Sequence, residues 1–248
     1  MNSLVSILGA NKPVIATATV SPFTGYKFEV ADVSSNTAFV YNYATLKWDG
    51  NFNNSSISSS IMKYGTGSIS FNNTQGYNNA GSSYLKIPPI TASNVSNGLS
   101  ITFWLNANSS NTAPYLFDFA KNASTGSNNM ICHYIPNGSN GDLIFFPDIT
   151  QSRTYIQVSN VIRFNQWQHI AFTINKSKLI TIYVDAVSKY SSTYSIDPLL
   201  STVYPKNNCI VGTTFYPNVG TVGNMDNFYI YNSVLTQSQI TNIYNNVL

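Results

Sequence analysis

The stretch whose reading decides the fold runs from Asn165 to Ala186, NQWQHIAFTINKSKLITIYVDA. Ile170, Phe172 and Ile174 alternate with His169, Ala171 and Thr173, while Ile180, Ile182 and Val184 alternate with Thr181, Tyr183 and Asp185. A period of two places successive side chains on opposite faces of a strand. Between the two ribbons, Asn175, Lys176, Ser177 and Lys178 are the polar residues of a short turn. The stretch is a hairpin, and each of its strands carries one apolar face.

Working outward, similar segments recur at 14–20, 25–31, 37–48, 67–72, 83–88, 100–106, 114–120, 130–135, 142–147, 154–159, 167–175, 179–189, 208–213 and 225–232. Asn/Gly/Ser clusters such as NFNNSSISSS, NNTQGYNNAGSS and PNGSNG separate them. Short strands, polar turns and almost no helical periodicity point to an all-β, antiparallel β-sandwich. The one helix signal lies near the C-terminus, where Thr236 caps a turn carrying Ile240, Ile243 and Tyr244 at spacings of three and four. Residues 1–40 read as extra strands or an arm packed on the sandwich, because neither a linker nor a repeat sets them apart.

At 248 residues the chain suits one large all-β domain or two small ones. Hydrophobic residues at 43% and aromatics at 14% suffice for a core. Charged residues at 8% are so sparse that Asn, Ser and Thr must carry solubility. The formal charge of +3 comes from scattered lysines without a basic cluster, which argues against a nucleic-acid partner. The opening MNSLVSILGANKPVIATATV lacks the basic residues of a secretory signal. No apolar run reaches the roughly 20 residues of a membrane helix, so no membrane insertion is expected. Cys132 and Cys209 sit in strand-like apolar contexts and read as buried free thiols, a disulfide between them being the alternative. Asn-x-Ser/Thr triplets at Asn54, Asn94, Asn108, Asn122 and Asn137 are read as unmodified products of composition.

The order of GTGSISFNN, SSYLKIPP, GLSITFWLN, QWQHIAFTI, ITIYVDA, CIVGT and VGNMDNFYIYNSVLTQSQITNIY resembles the laminin-G-like, concanavalin A-like lectin and glucanase superfamily. The likeness runs from about Lys47 to Tyr244, and its most specific piece joins Gly223 and Asp226 to the aromatic strand Tyr229 to Tyr231 and the closing helix. The resemblance implies a jelly roll of two antiparallel sheets over residues 41–248, with rim loops and a concave face that hold sugars or proteins in many relatives. The chain departs from the family at Ala186, where Gly is usual after the hairpin Asp, and a changed turn is expected there. With its Asn-rich spacers the domain is also similar to pieces of phage tails and large-DNA-virus virion proteins.

Glucanases of this superfamily use paired acidic residues on a Glu-x-Asp-x-x-Glu strand, which this chain lacks. Its single glutamate is Glu29, and the close pair Asp142 and Asp148 lies roughly 20 Å apart if extended. No Gly-x-Ser-x-Gly elbow occurs. His169 reads as a hydrogen-bonded residue stabilising the sheet, and His133 cannot form a dyad with Cys132 because strand neighbours face opposite ways. The chain is therefore not expected to be an enzyme. No cofactor is expected, calcium being the one ion to weigh. By resemblance its ligands would be Asp142 and Asp197, although two carboxylates alone make a weak site and equally read as solvated loop residues.

Sugars need aromatic faces beside amides and hydroxyls. Trp104 lies on the strand face opposite Ile101, Phe103 and Leu105, and Trp167 opposite Ile170 and Phe172. Both either form a platform there or pack under neighbouring loops or the N-terminal arm. Tyr134, Asn137, Asn140 and Asp142 read as a polar rim loop tipped by an aromatic. The expected function is a non-catalytic lectin-like recognition module for carbohydrate binding or adhesion, with Trp104, Tyr134, Asn137, Asn140 and Asp142 as ligand contacts. It would face outward or sit on a virion surface. The alternative is a structural protein of a virion or filament, using the sandwich for homo-oligomeric or other protein contacts.

Overall fold

A computed structural model of the chain describes residues 20–33, 39–72, 77, 81–109, 113–122, 128–148, 154–215 and 220–247. Its strands are numbered along the chain. One sheet runs in the spatial order β14 (Val187–Thr193), β13 (Leu179–Val184), β12 (Trp167–Ile174), β7 (Leu99–Ala107), β16 (Val222–Tyr231), β5 (Ser68–Asn72) and β4 (Ser56–Ser58). β1 (Thr24–Tyr26) pairs with the end of β16 that β5 does not reach. The second sheet runs β11 (Ile156–Arg163), β10 (Asn140–Phe146), β9 (Asn129–Asn137), β8 (Tyr115–Ala120), β15 (Asn208–Val211), β6 (Tyr84–Ile87), β3 (Lys47–Asn53) and β2 (Phe39–Asn42). The ladders of both sheets are antiparallel, so the expected sandwich is the observed one.

The hairpin that opened the sequence reading is β12–β13, in register from Ile170 opposite Val184 to Ile174 opposite Ile180. Asn175 builds its turn, its side-chain oxygen accepting the N–H groups of Ser177 and Leu179 at 2.9 Å each. The inward faces of the sheets meet around Phe172, whose ring centroid lies 4.5 Å from Phe145, 6.0 Å from Phe117 and 6.3 Å from Phe103. Each such fully buried side chain contributes on the order of 1.5–3 kcal/mol. Cys132 and Cys209 lie in this core as free thiols.

Ala171 and Thr173 are also buried, although they face away from that core. The outer face of the first sheet is covered by the helix α1 (Gln237–Tyr244) and by a strap of residues 61–66. Thr236 caps α1 through a reciprocal box with Gln239. Ile240 and Ile243 then turn onto Ala171, Tyr183, Tyr229 and Tyr231, as the three- and four-residue spacing requires.

Two segments read as single strands are hairpins. Segment 37–48 divides into β2 and β3, because Asn42 folds the chain back by accepting the N–H groups of Gly25 and Ala44 at 3.0 Å and Thr45 at 3.3 Å. Segment 179–189 divides into β13 and β14 at Asp185 and Ala186, with φ of 50° and 60°. The turn expected to change at Ala186 keeps a left-handed conformation, with alanine standing in it. β4 lies in a stretch read as loop, and segment 14–20 falls almost wholly outside the described residues.

The closing motif has a steric basis. Gly223, at φ 143°, packs so tightly that a Cβ would sit 2.4 Å from the Asn106 carbonyl oxygen. Four residues on, Asn227 at φ 48° is an extra residue between the Asp226–Trp104 and Tyr229–Thr102 pairs. This bulge lets Asp226 and Tyr229 both face outward while Phe228 and Ile230 enter the core.

Candidate functional site

A groove opens where the edges of the two sheets approach one another, between β11 and the β13–β14 hairpin. It encloses about 330 Å³, with Asn140, Asn160, Arg163, Asp185 and Lys189 as its polar lining. Val161, Val184 and Val187 supply the apolar part.

Each polar group is placed by a local feature of the chain. Asn140 follows the tight β9–β10 turn, directly opposite Asn137. Asn160 sits at φ 57° where the β10–β11 register shifts. Asp142 holds that irregularity: its carboxylate accepts the Asn160 N–H at 2.8 Å, the Gln157 side-chain amide at 2.8 Å and the Asn137 amide at 3.5 Å. The Asn160 N–H, foremost among these donors, holds the Asp142 carboxyl below its ordinary pKa. Across the groove, Asp185 accepts the His169 backbone N–H at 2.9 Å and meets the Arg163 guanidinium at 2.6 Å. That ion pair joins the two sheets at their rim.

Two amides that donate and accept, a guanidinium, an ammonium and a carboxylate acceptor suit a ligand rich in hydroxyl groups. Among the described lining residues Asp185 is the one carboxylate, whereas glycoside hydrolysis uses an acid and a second carboxylate roughly 5–9.5 Å away.

Of the sequence-derived contacts, Asn137, Asn140 and Asp142 come together at this rim, with Asn140 lining the groove and Asp142 bracing it. Trp104 is a correction. It is 3% exposed, stacked on Tyr244 at 5.4 Å, edge-on to Tyr64 at 5.6 Å and covered by the Lys63 ammonium at 4.1 Å. The strap above it is pinned by the Asp226 carboxylate, which accepts the Lys63 and Tyr64 N–H groups at 3.0 Å each. The Tyr64 hydroxyl donates to the Tyr244 carbonyl at 3.1 Å, and Glu29 accepts the backbone and hydroxyl donors of Thr66. Glu29 and Asp226 are thus engaged in holding the strap. Burial raises Asp226 to about 6.

Tyr134 is a second correction. β9 extends through Asn137, so alternation turns Tyr134 inward, fully buried, with its hydroxyl donating to the Asn108 carbonyl at 2.7 Å. Ile135 takes the exposed position instead.

Among the described residues no contact joins Asp142 to Asp197, the expected calcium pair. Asp142 stands opposite Ile135 near one end of β9. Asp197 accepts the Leu199 N–H at 2.9 Å and acts on Tyr204, whose neighbour Lys206 donates to the Asn128 carbonyl beyond the other end. From residue 128 to residue 135 a strand spans about 23 Å. Among the described residues, no three His, Cys, Asp or Glu side chains gather in a metal-binding group.

Among the described residues His169 packs within the sheet without the expected side-chain hydrogen bond. Its ring, 5.3 Å from Trp104, is wholly buried and is pushed down to about 4 by burial. His133, stacked at 4.8 Å on Tyr115, is lowered to about 4 for the same reason.

Asn160, Arg163, Asp185 and Lys189 were missed from sequence. The Asp185–Ala186 turn was their nearest signal, since a hairpin Asp at the sheet rim faces the neighbouring edge.

A family model described as the concanavalin A-like lectin/glucanases superfamily matches residues 79–241. No curated protein sequence matches the chain. Among solved structures, domain 4 of the extracellular GH43 arabinanase AbnA from Geobacillus stearothermophilus, in complex with arabinotriose, is similar with TM-score 0.65 and 18% identity, covering 91% of this chain and 98% of that one. The binding domain of botulinum neurotoxin DC, in complex with rat synaptotagmin II, is similar with TM-score 0.62 and 14% identity, covering 92% and 52%. Botulinum neurotoxin type C, whose cell entry depends on two ganglioside molecules, gives TM-score 0.61, 12% identity, and coverage of 92% and 51%. The chain thus spans about half of each toxin structure. These likenesses establish a shared fold.

Proposed function

Since the chain belongs to the concanavalin A-like lectin/glucanase superfamily, we propose that it is a non-catalytic recognition module that binds carbohydrate in the groove between β11 and the β13–β14 hairpin. The observation that carries this is the groove's lining: two amides, a lysine and a rim ion pair whose Asp185 is the one carboxylate among the described lining residues. The presence of arabinotriose on a neighbour of matching size, and of gangliosides as partners of another, supports the choice of ligand class. An outward-facing placement, on a virion surface or in adhesion, belongs to the same proposal and is supported by the low-charge, Asn- and Ser-rich composition. The separation of Asp142 from Asp197 supports calcium-independent binding.

The test is a screen of the intact chain against oligosaccharides, with and without EDTA, beside Asn160→Ala and Arg163→Ala. Binding by the wild type, unchanged by EDTA and weakened at least tenfold in both variants with unfolding midpoints retained, is expected. A folded wild type that binds no sugar, or variants that bind as well as it does, would overturn the proposal.

A structural role in a virion or filament is the second reading. Its specific support is β14, an edge strand whose residues are exposed almost throughout and which offers a ladder for a second chain. A concentration-independent monomer in sedimentation would remove it.

A further inference from the structure

We propose a second carbohydrate site, an aromatic ledge on the β2–β3 hairpin that stacks the pyranose rings of a neutral glycan. It goes beyond the groove described above while resting on the reading that this chain binds sugars. Trp48 is 46% exposed, and it stands opposite Tyr41 in the β2–β3 register. The two rings meet edge to face, with centroids 5.3 Å apart. Tyr41 meets Tyr43 in the same manner at 5.2 Å. Three aromatic side chains therefore form one continuous surface, whose end at Tyr43 opens into a second groove of about 450 Å³. Leu46, which is 70% exposed, and the rings of Tyr229 and Tyr231 complete its walls.

The ledge is held in place before any ligand arrives. The Tyr43 hydroxyl donates to Asp32 at 2.6 Å, and the Lys27 ammonium lies 4.8 Å over the Tyr43 ring. The Asn42 side chain ties the turn to β1, and the Thr45 hydroxyl donates to Asp49 at 2.7 Å. Large exposed aromatics on a rigid hairpin lose little freedom on binding, which is the economy of a recognition surface.

The chemistry of the lining selects the occupant. A pyranose offers one apolar C–H face to a ring and a margin of hydroxyls to polar tips, and the half-buried Tyr41 and Tyr43 beside the exposed Trp48 present such rings, while the buried Tyr229 and Tyr231 only floor the groove. The groove is of ordinary small-ligand size. Among the described lining residues Lys27 is the one cation, and the carboxylates of Asp32 and Glu29 lie in its field, so the site favours an uncharged glycan over an acidic one. β2 and β11 are the two outermost strands of the second sheet, placing the ledge roughly 30 Å from the rim groove. Two sites that far apart engage separate residues of a long glycan or two different chains, and the module gains avidity on a surface.

The test titrates the full chain, carrying 5-fluorotryptophan, with neutral xylo-, arabino- and cello-oligosaccharides. The Trp48 fluorine resonance is assigned from a Trp48→Phe variant. Expected is a shift of that resonance on binding, an affinity loss of tenfold or more in Trp48→Ala with the fold intact, near-full retention in Trp48→Phe, and survival of the shift in Arg163→Ala. If Arg163→Ala abolishes all binding while Trp48→Ala and the resonance are indifferent, the ledge fails and the groove stands. If only Trp48→Ala abolishes binding, the ledge stands and the groove fails. If no oligosaccharide moves the resonance, the proposal is overturned, including where a protein partner protects Trp48 instead.

Discussion

Trp104 and Tyr244 lie nearly face to face, their ring centroids 5.4 Å apart and their planes 22° from parallel. The pair fastens the C-terminal helix to the outer face of the first sheet and, through the Tyr64 hydroxyl on the Tyr244 carbonyl, fastens the strap as well. An aromatic that would serve as a sugar platform on an open sheet is here a structural anchor. Tyr244→Ala removes the stack and admits water to Trp104. It is expected to cost about 2–3 kcal/mol in urea unfolding, with sugar binding unchanged.

The Asp226 carboxyl beneath the strap sets a pH dependence. Burial raises it from an ordinary 3.8 to about 6. The folded state therefore holds this proton more tightly than the unfolded chain, so the contribution is complete below about pH 4 and is lost as pH rises through about 6. The stability of the wild type minus that of Asp226→Asn should fall across that window and level off above it. A flat difference in thermal unfolding between pH 4 and 6.5 would show that the carboxyl is not buried as described.

Alternation made the layers legible. Ile101, Phe103 and Leu105, or Ile170, Phe172 and Ile174, state which face of a strand meets a core. They do not state whether the other face meets water, so they leave Trp104 between an open platform and packing under other segments, a choice decided by the distant strap and helix. The β2–β3 turn escaped notice because it contains neither Gly nor Pro, and its geometry depends on Asn42 reaching Gly25. Within the candidate site, Asn137, Asn140 and Asp142 were legible as neighbours because one hairpin brings them together. Arg163 and Asp185 come from different sheets, and nothing local announces a contact made by the closure of the sandwich.

That contact is asymmetric in its consequences. Arg163 is largely exposed and its ion pair is screened, so Arg163→Ala should cost at most about 1 kcal/mol. Asp185 also accepts the His169 N–H and shapes the hairpin turn. Asp185→Ala should therefore cost more, about 1–3 kcal/mol, and a double-mutant cycle in urea should assign only the smaller part to the pair.

The core thiols should be silent in the native protein. Cys132 and Cys209 are fully buried, and burial raises both, Cys209 to about 12. Since the thiolate is the reactive form, a disulfide reagent such as DTNB should label neither cysteine in buffer and both in 6–8 M urea. Rapid labelling of the folded chain would contradict the packing of β9 and β15.

Ala186 gives the most direct test of backbone strain. Its φ of 60° follows another positive φ at Asp185, and such a two-residue turn matches the twist of the hairpin. The left-handed region costs an L-residue roughly 1–2 kcal/mol that glycine does not pay. Glycine also has more freedom to lose from the unfolded chain, which offsets about 0.4–1 kcal/mol. Ala186→Gly should therefore stabilise the protein by about 0.5–1 kcal/mol, raising the unfolding midpoint by roughly 1–4 °C for a chain of this size. Because the turn already has the required shape, the groove beside it should bind sugar as before. A lower midpoint would mean that the Ala186 methyl, packed against the Tyr229 and Tyr231 cluster, contributes more than its backbone conformation costs.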